Sequence, residues 1–478
     1  MALQFTRNAG VYIELTDPST GFPKAHWKLS VLDGFSFTQS INSSEITINE
    51  AGATSRRARL LFNDSLAPVE WSLSTYARPF VDDAPAICRA PEDVLWAMAV
   101  GADDYNDATG VFSNSDLGKA VNGNNGLNPP TLGPTATTNV FNFHGSNVSS
   151  FGDNWNMYFA FEDGNNTQYY KLGSAVVNSV SMDFDIDGIA TISWSGFAKE
   201  LGDEGTVQPG FIKSTRTSIV EANITTLQGD GASPNTVTIT ADVSGLPLTG
   251  GRIWVEGSGV AGYNSPATGS VVLSNDGSTL TYQATSGTDS TDGKAGATVS
   301  EVPLAIASDV TETSGLSRTD NFIRNRISTV SLRREDTGPT IYTLVLTGGN
   351  FTLENNINYL TPEELGVVNA PLANITGARS ISGSMSCYLD NGAGNLSGQL
   401  FADLVADTST IRNEFAMELQ MGGAENGTPR VYLNLPDAHL EIPTINVEDL
   451  LTLEINFHGQ VSNGNVDLTD EATIIYNV

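Results

Sequence analysis

Four short motifs occur twice in this chain, in the same order. Phe35-Ser-Phe37-Thr-Gln-Ser-Ile41-Asn42 is answered by Phe351-Thr-Leu353-Glu-Asn-Asn-Ile357-Asn358, and Ser72-Leu73-Ser74-Thr75-Tyr76 by Ser384-Met385-Ser386-Cys387-Tyr388. Leu95-Trp96-Ala97 returns as Leu400-Phe401-Ala402, and Ile192-Ser193-Trp194-Ser195-Gly196 as Ile455-Asn456-Phe457-His458-Gly459. Each match alone is weak, but their common order implies two copies of one β-rich domain. Two such copies offer repeated lateral contacts, which points to self-assembly ahead of catalysis.

Charge narrows the partners. Lys and Arg total 23 against 54 Asp and Glu, a formal charge of −31. Wrapping nucleic acid needs clustered cations at the phosphates, so this balance argues against it and suits a surface that repels an anion. A hydrophobic content of 40% together with 47 glycines favours packed cores of strands and turns over disorder. The opening Met1-Ala-Leu-Gln-Phe-Thr-Arg-Asn lacks the basic-then-apolar layout of a secretory signal, and no apolar run reaches the roughly 20 residues of a membrane helix. The expectation is a chain that folds in a reducing cytoplasm, with Cys88 and Cys387 as buried free thiols.

The length predicts about three domains. The first copy spans 1–213. Its strands alternate with period two: Trp71, Leu73 and Thr75 face one way, Ser72, Ser74 and Tyr76 the other. Ala190, Ile192 and Trp194 likewise oppose Thr191 and Ser193. A helix opens at Pro91, with Glu92 and Asp93 in its first turn, and stops at Gly101. Residues 103–155, rich in Asn, Gly, Asp and Thr, read as long loops with little core.

The second copy spans 314–478, and its helix starts near Ser397 as N-cap, with Leu400, Phe401, Leu404 and Val405 on one side. Each copy reads as a β-sandwich or half-barrel with a helix packed over one opening, giving a mainly β fold class. Between them, 217–313 holds two basic residues (Arg252, Lys294) against ten acidic ones and three aromatics, Trp254, Tyr263 and Tyr282. Short runs such as Thr236-Val-Thr-Ile-Thr240 alternate there with turn clusters, which predicts an inserted immunoglobulin-like sandwich.

No catalytic constellation or cofactor motif stands out. Asp183-Phe-Asp185-Ile-Asp187-Gly188 resembles the start of a calcium loop, but Trp194 occupies the twelfth position, where a bidentate glutamate belongs. A strand turning at Asp187-Gly188 explains it better. His26, His144, His439 and His458 lack zinc-site spacing, so no metal site is assigned. There is no Gly-x-Ser-x-Gly elbow, and nothing selects a carboxylate pair for glycoside hydrolysis.

Two long excursions, 43–69 and 359–379, leave the two copies at the same point. Ordering such segments twice is costly, which argues for contacts that hold them. The first carries the only dense basic spot, Arg56, Arg57 and Arg59; the second carries a capping box, Thr361-Pro362-Glu363-Glu364, predicting a short helical turn.

Glu45-Ile-Thr-Ile-Asn-Glu50-Ala-Gly52, Phe62-Asn-Asp-Ser-Leu66, Glu70-Trp71-Ser-Leu-Ser-Thr75-Tyr76 and Thr347-Gly-Gly-Asn-Phe351-Thr-Leu-Glu-Asn-Asn-Ile357-Asn-Tyr-Leu-Thr-Pro362 together resemble the tail tube proteins of T-five-type siphophages. The likeness covers most of 1–213 and 314–478. It implies two fused tube domains per chain, and homotrimeric, pseudo-sixfold rings stacked into a non-contractile tail within the virion, assembled in the host cytoplasm. It also implies a bore, expected from the charge to have acidic walls, through which double-stranded DNA passes during ejection without specific binding. The implied partners are further copies of the chain, a tape measure protein, and tail terminator and baseplate proteins; no membrane, cofactor or enzymatic activity is implied. Loops that reach the adjoining ring correspond to the two excursions, which makes Glu45, Glu50, Arg56, Arg57, Arg59, Asn63, Asp64, Tyr359, Thr361, Glu363 and Glu364 the candidate interface residues. The chain departs from the family in its insertion at 217–313, and in reaching Val478 without the extra C-terminal decoration domain such relatives can have. The insertion is expected to be a decoration displayed outward. The competing expectation is a host-surface glycan-binding β-sandwich protein, with 217–313 as the binder.

Overall fold

In the computed structural model the described residues are 9–16, 23–46, 60–83, 86–102, 105–106, 111–112, 137–138, 140–143, 152, 154–162, 167–185, 188–205, 218–232, 235–246, 252–265, 270–284, 290–301, 322–334, 340–364, 368–392, 394, 396–406, 414–422, 429–447, 450–461 and 471–477. They form a mainly β fold with two α-helices. The strands that build the main body are β1 (Ala9–Thr16), β2 (Pro23–Leu29), β3 (Ser36–Ile46), β4 (Leu60–Tyr76), β5 (Trp155–Glu162), β6 (Thr167–Gly173), β7 (Val176–Asp185), β8 (Thr191–Ala198) and β9 (Glu200–Gly205). They continue with β10 (Thr329–Arg334), β11 (Ile341–Leu344), β12 (Leu346–Glu354), β13 (Ser380–Tyr388), β14 (Phe415–Gly422), β15 (Arg430–Leu440), β16 (Leu451–Gln460) and β17 (Ala472–Asn477).

In the N-terminal part, a five-stranded sheet runs β2-β1-β5-β6-β9 beside a run β3-β4-β8-β7. The two pack face to face: Phe37 of β3 lies 4.7 Å from Phe159 of β5 and 5.6 Å from Tyr170 of β6, ring centre to ring centre. In the C-terminal part, β11-β10-β14-β15 is completed by β17 pairing with β15, and β15 continues into β16-β13-β12. There one long strand, β15, serves both groups. Arg430–Asn434 pair with β17, and Asp437–Leu440 pair with β16. Strands β7 and β12 pair directly, so one sheet passes from one part into the other. A single apolar core likewise extends through both parts.

The alternation read from sequence holds. Trp71, Leu73, Thr75, Ala190, Ile192 and Trp194 are buried, while Ser193 is exposed. Cross-strand register refines one motif. Trp194 lies opposite Leu73 and Ile192 opposite Thr75, whereas Phe457 lies opposite Gly383 and Ile455 opposite Met385. With the closing strands aligned as read, Leu73 therefore corresponds to Gly383, two residues from the Met385 expected. A Ser-x-Ser strand repeats every two residues, so a two-residue slip keeps every side chain on its face and leaves no trace in the pattern.

Helix α1 (Asp93–Val100) ends at Gly101, whose φ of 79° gives the left-handed cap that lacks a steric penalty only in glycine. All eight of its residues are buried. Trp96 makes an edge contact with Trp194 at 4.8 Å. In α2 (Ser397–Ala406), Leu400 and Leu404 face the core and Val405 is exposed. The Ser397 hydroxyl donates to the Tyr388 carbonyl and accepts from Asp390 N–H, so it ties the helix start to β13.

Residues 103–155 contribute more core than expected. Tyr105 and Phe112 are buried against Trp27, with ring centres 5.0 and 5.9 Å away, and Phe141 and Phe143 are also buried. Aromatics spaced among polar turn residues carry no periodicity, which is why the sequence hid them.

Residues 218–301 form a separate seven-stranded sheet with a core of its own, including Leu227, Val237, Ile239, Val255, Leu280 and Val299. Tyr263 and Tyr282 are fully buried in it: Tyr282 OH donates to the Tyr263 carbonyl at 2.7 Å, and Tyr263 OH to the Thr291 carbonyl at 2.9 Å. Two of the three aromatics that glycan stacking would need are therefore structural.

Candidate assembly surfaces

The junction between the N- and C-terminal parts shows how this chain joins sheet to sheet. Strand β7 runs antiparallel to β12, with Val180 opposite Leu353, Ser181 opposite Thr352 and Met182 opposite Phe351. Period two sends Val180, Met182, Phe351 and Leu353 into the core and leaves Ser181 and Thr352 on the open side.

Asparagines seal the end of the junction. The buried Asn355 side chain donates to the carbonyls of Ala99 and Val177, both at 3.0 Å. Asn355 N–H donates to the Asn178 carbonyl at 2.7 Å, and Ile357 N–H to the Asn178 side-chain oxygen at 2.7 Å. Arg379 donates to the Asn355 side-chain oxygen and pairs with Glu471 at 3.6 Å; both groups are largely buried, the setting in which an ion pair needs such extra hydrogen bonds. Beyond the seal, Ile357 packs on Val176, with Phe197 and Tyr359 beside it, and Tyr359 OH donates to the Ser174 carbonyl at 3.1 Å. Strand β17 adds a second tie, because it pairs with Val140–Phe143 on its other edge.

The second excursion departs from expectation. Thr361, Pro362, Glu363 and Glu364 form no helical turn. Instead, Ile357–Leu360 pairs with Ala373–Thr376 as a β-hairpin. The Glu364 N–H that a capping box would satisfy donates to the Asn369 side-chain oxygen at 2.9 Å. Asn369 also accepts from Leu66 N–H at 2.7 Å and donates to the Asp64 carbonyl at 3.1 Å. The two excursions therefore meet, and Asp64 and Glu364 are brought to one residue that sequence reading did not select. Glu45, Asn63 and Asp64 are exposed on the β3–β4 hairpin, where Ser44 donates to the Asp64 carboxylate. Glu363 is exposed and Thr361 half-buried. Glu50, Arg56, Arg57 and Arg59 lie outside the described residues, as does the side chain of Cys88.

The open side of the joined sheet has its own chemistry. Strands β3, β4, β8, β7, β12, β13 and β16 contain no Lys or Arg. Ser74, Ser193, Ser181, Thr352, Ser382 and His458 lie opposite one another in succession across six strands. Ser36, Ser72, Ser195 and Ser179 make a parallel row, with the Ser36 and Ser72 hydroxyls 3.0 Å apart. Glu70, Asp183, Asp185, Glu354 and Glu454 stand exposed around these rows. Such a face offers hydroxyls and carboxylates but no cation to hold a phosphate.

Other titratable groups are structural. Burial pushes the Cys387 thiol up to about 11, which leaves it an unreactive core residue. Asp183 and Asp185 belong to β7, and no cluster of three or more metal-ligating side chains occurs among the described residues. Among those residues no helix is long and apolar enough to cross a membrane.

No family model matches the chain. The tail tube protein pb6 of Escherichia phage T5 is 25% identical to it over 478 residues, spanning 98% of this chain and 75% of that protein. Similar over nearly its whole length to a phage tail tube protein, and mainly β in its described residues, the chain resembles tail tube proteins of the T5 type.

Proposed function

We propose that this structural protein of the phage tail carries two copies of one tube domain, and that three chains close into a ring with six similar positions. The strand orders support duplication: β2-β1-β5-β6-β9 has the order of β11-β10-β14-β15-β17, and β3-β4-β8-β7 that of β12-β13-β16-β15. The β7–β12 junction carries the reading, because it is a head-to-tail contact between successive copies. Repeating a head-to-tail contact closes a ring when its rotation divides a full turn, and three chains supply six copies.

Rings stack into a tube, with the excursions reaching the adjoining ring and 217–313 displayed outward as an immunoglobulin-like decoration. The cation-free, hydroxyl-rich face lines the bore. A wall that repels phosphate lets the genome pass during ejection without being gripped. The tube would enclose a tape measure protein during assembly and end on terminator and baseplate proteins.

Negative-stain microscopy of the purified chain tests this. Rings or tubes with threefold averages are expected, and a variant lacking 217–313 should still form them. Compact monomers at every salt concentration would overturn the proposal.

A further inference from the structure

The open side of the joined sheet brings together two histidines whose spacing along the chain suggests no site. His439 of β15 lies directly opposite His458 of β16, and His458 lies opposite Ser382 on its other side, so the hydroxyl row runs into a pair of imidazoles. Leu440 and Phe457, the neighbouring opposed pair, are buried, which by period two puts both histidines on the open side. His458 is exposed and His439 half-buried. Opposed residues on one face have Cβ atoms roughly 4.5–5.5 Å apart, so both rings can reach one ion at a metal–nitrogen distance of about 2.0–2.1 Å.

A carboxylate orients one of the rings. Glu441 Oε1 lies 3.4 Å from His458 Nε2, and Glu441 Oε2 accepts from the Asn456 amide at 2.9 Å. That amide, then His458, with His439 nearby, hold Glu441 below the ordinary carboxylate value, so it is ionised at neutral pH and can only accept. The hydrogen between them therefore sits on His458 Nε2, and in the neutral ring Nδ1 keeps its electron pair for a ligand. No lysine or arginine stands on β13, on β16 or within 435–447 to compete with a bound cation. The first copy has none of this. With Phe457 matched to Trp194, His458 matches Ser195, and the residues opposite follow: His439 matches Ser179 and Glu441 matches Ser181. Three serine positions thus differ together, and the second copy fills them with two nitrogen donors and an acceptor that orients one.

We propose that His439 and His458 form a two-nitrogen site for a borderline transition-metal dication (Cu²⁺, Zn²⁺ or Ni²⁺), with Glu441 as its positioning residue. Imidazole suits these ions, and Cu²⁺ binds most tightly of the series, which makes it the probe of choice. The site belongs to the single chain and does not depend on the ring reading.

The test is titration of the untagged, full-length chain with Cu²⁺, followed by electron paramagnetic resonance. The tightest equivalent should show splitting from two nitrogens, and its affinity should fall as pH drops from 7 to 5, where imidazole takes up protons. His439→Gln or His458→Gln alone should weaken that equivalent about 10²-fold, because the second donor no longer binds intramolecularly. Glu441→Ala should weaken it about tenfold while the two-nitrogen signal persists. Ser179→His, Ser181→Glu and Ser195→His together transplant the arrangement into the first copy and should add a second equivalent of similar affinity; this gain reports on the site even if a glutamine variant fails to fold. A one-nitrogen signal in the wild type, equal affinity in His458→Gln, or a two-nitrogen signal surviving in His439→Gln would overturn the proposal.

Discussion

Tyr476, in the last strand, donates its hydroxyl to Oε1 of Glu92, at the start of the first helix, over 2.8 Å. Trp96 Nε1 in turn donates to the Tyr476 oxygen at 2.7 Å. All three residues are buried, so this chain of hydrogen bonds locks the C-terminal strand onto the N-terminal helix. Tyr476→Phe deletes the link and leaves the indole N–H without its acceptor. Leaving a buried donor unsatisfied costs about 1–3 kcal/mol. A loss of that size in urea-unfolding free energy is expected, with little change in far-ultraviolet dichroism.

The same carboxyl makes stability depend on pH. Burial, with Asp93 alongside and despite the hydrogen bond from Tyr476, raises Glu92 to about 8, against 4.5 for a free side chain. The folded chain therefore holds a proton that the unfolded chain has released. Stability contributed by this group is full below the free value and declines as pH rises towards about 8. At neutral pH the loss is roughly 3 kcal/mol by linkage. Glu92→Gln cannot ionise, so its melting temperature relative to wild type should climb between pH 5 and pH 8. A constant difference across that window would show that Glu92 is ionised in the fold.

Much of the architecture was legible because strands print period two into the sequence. Trp71, Leu73 and Thr75 show it, and so do Ile192 and Trp194. The same periodicity concealed the two-residue slip that pairs Gly383 with Phe457, since serines at alternate positions look alike after such a shift. The junction was less legible. Asn178 and Asn355 seal it, yet asparagine in sequence signals a turn, and only tertiary placement set their amides against the facing backbone. The capping box at Thr361 failed for a related reason: a local signal worth about 1 kcal/mol gave way to the strand pairing of Ile357–Leu360.

Adjacent glycines at the junction separate packing from backbone preference. A Cβ on Gly349 would stand 2.5 Å from both the Phe184 ring and the Ser384 carbonyl, whereas one on Gly348 would meet only the Phe184 carbonyl, at 3.5 Å. Gly349→Ala must displace a buried aromatic and a sheet carbonyl, an overpacking cost of about 1–3 kcal/mol or more. Gly348→Ala should be nearly neutral. Parallel denaturation curves for the two variants check the contrast, and equal behaviour would mean that β7 and β12 do not approach this closely.

If the hydroxyl rows line the bore, as proposed, cations placed on them should hold DNA. Ser193 and Ser382 lie on one row, separated by Ser181 and Thr352, with no lysine or arginine on any strand between them. Ser193→Lys combined with Ser382→Lys would place six ammonium groups around each proposed ring of three chains. Contacts of about that number make DNA binding steeply dependent on salt, with affinity falling about 10³-fold or more between 50 and 200 mM. Tubes of the double variant should co-sediment with a short duplex at low salt and release it as salt rises, while wild-type tubes leave it in the supernatant. Lysines placed instead at Ser244 and Ser278, exposed in turns beside the seven-stranded sheet, should bind a duplex that nuclease can digest. DNA held by the Ser193/Ser382 variant should resist the same nuclease, because the tube wall encloses it. Digestion at equal rates would put the hydroxyl rows on the outside of the tube.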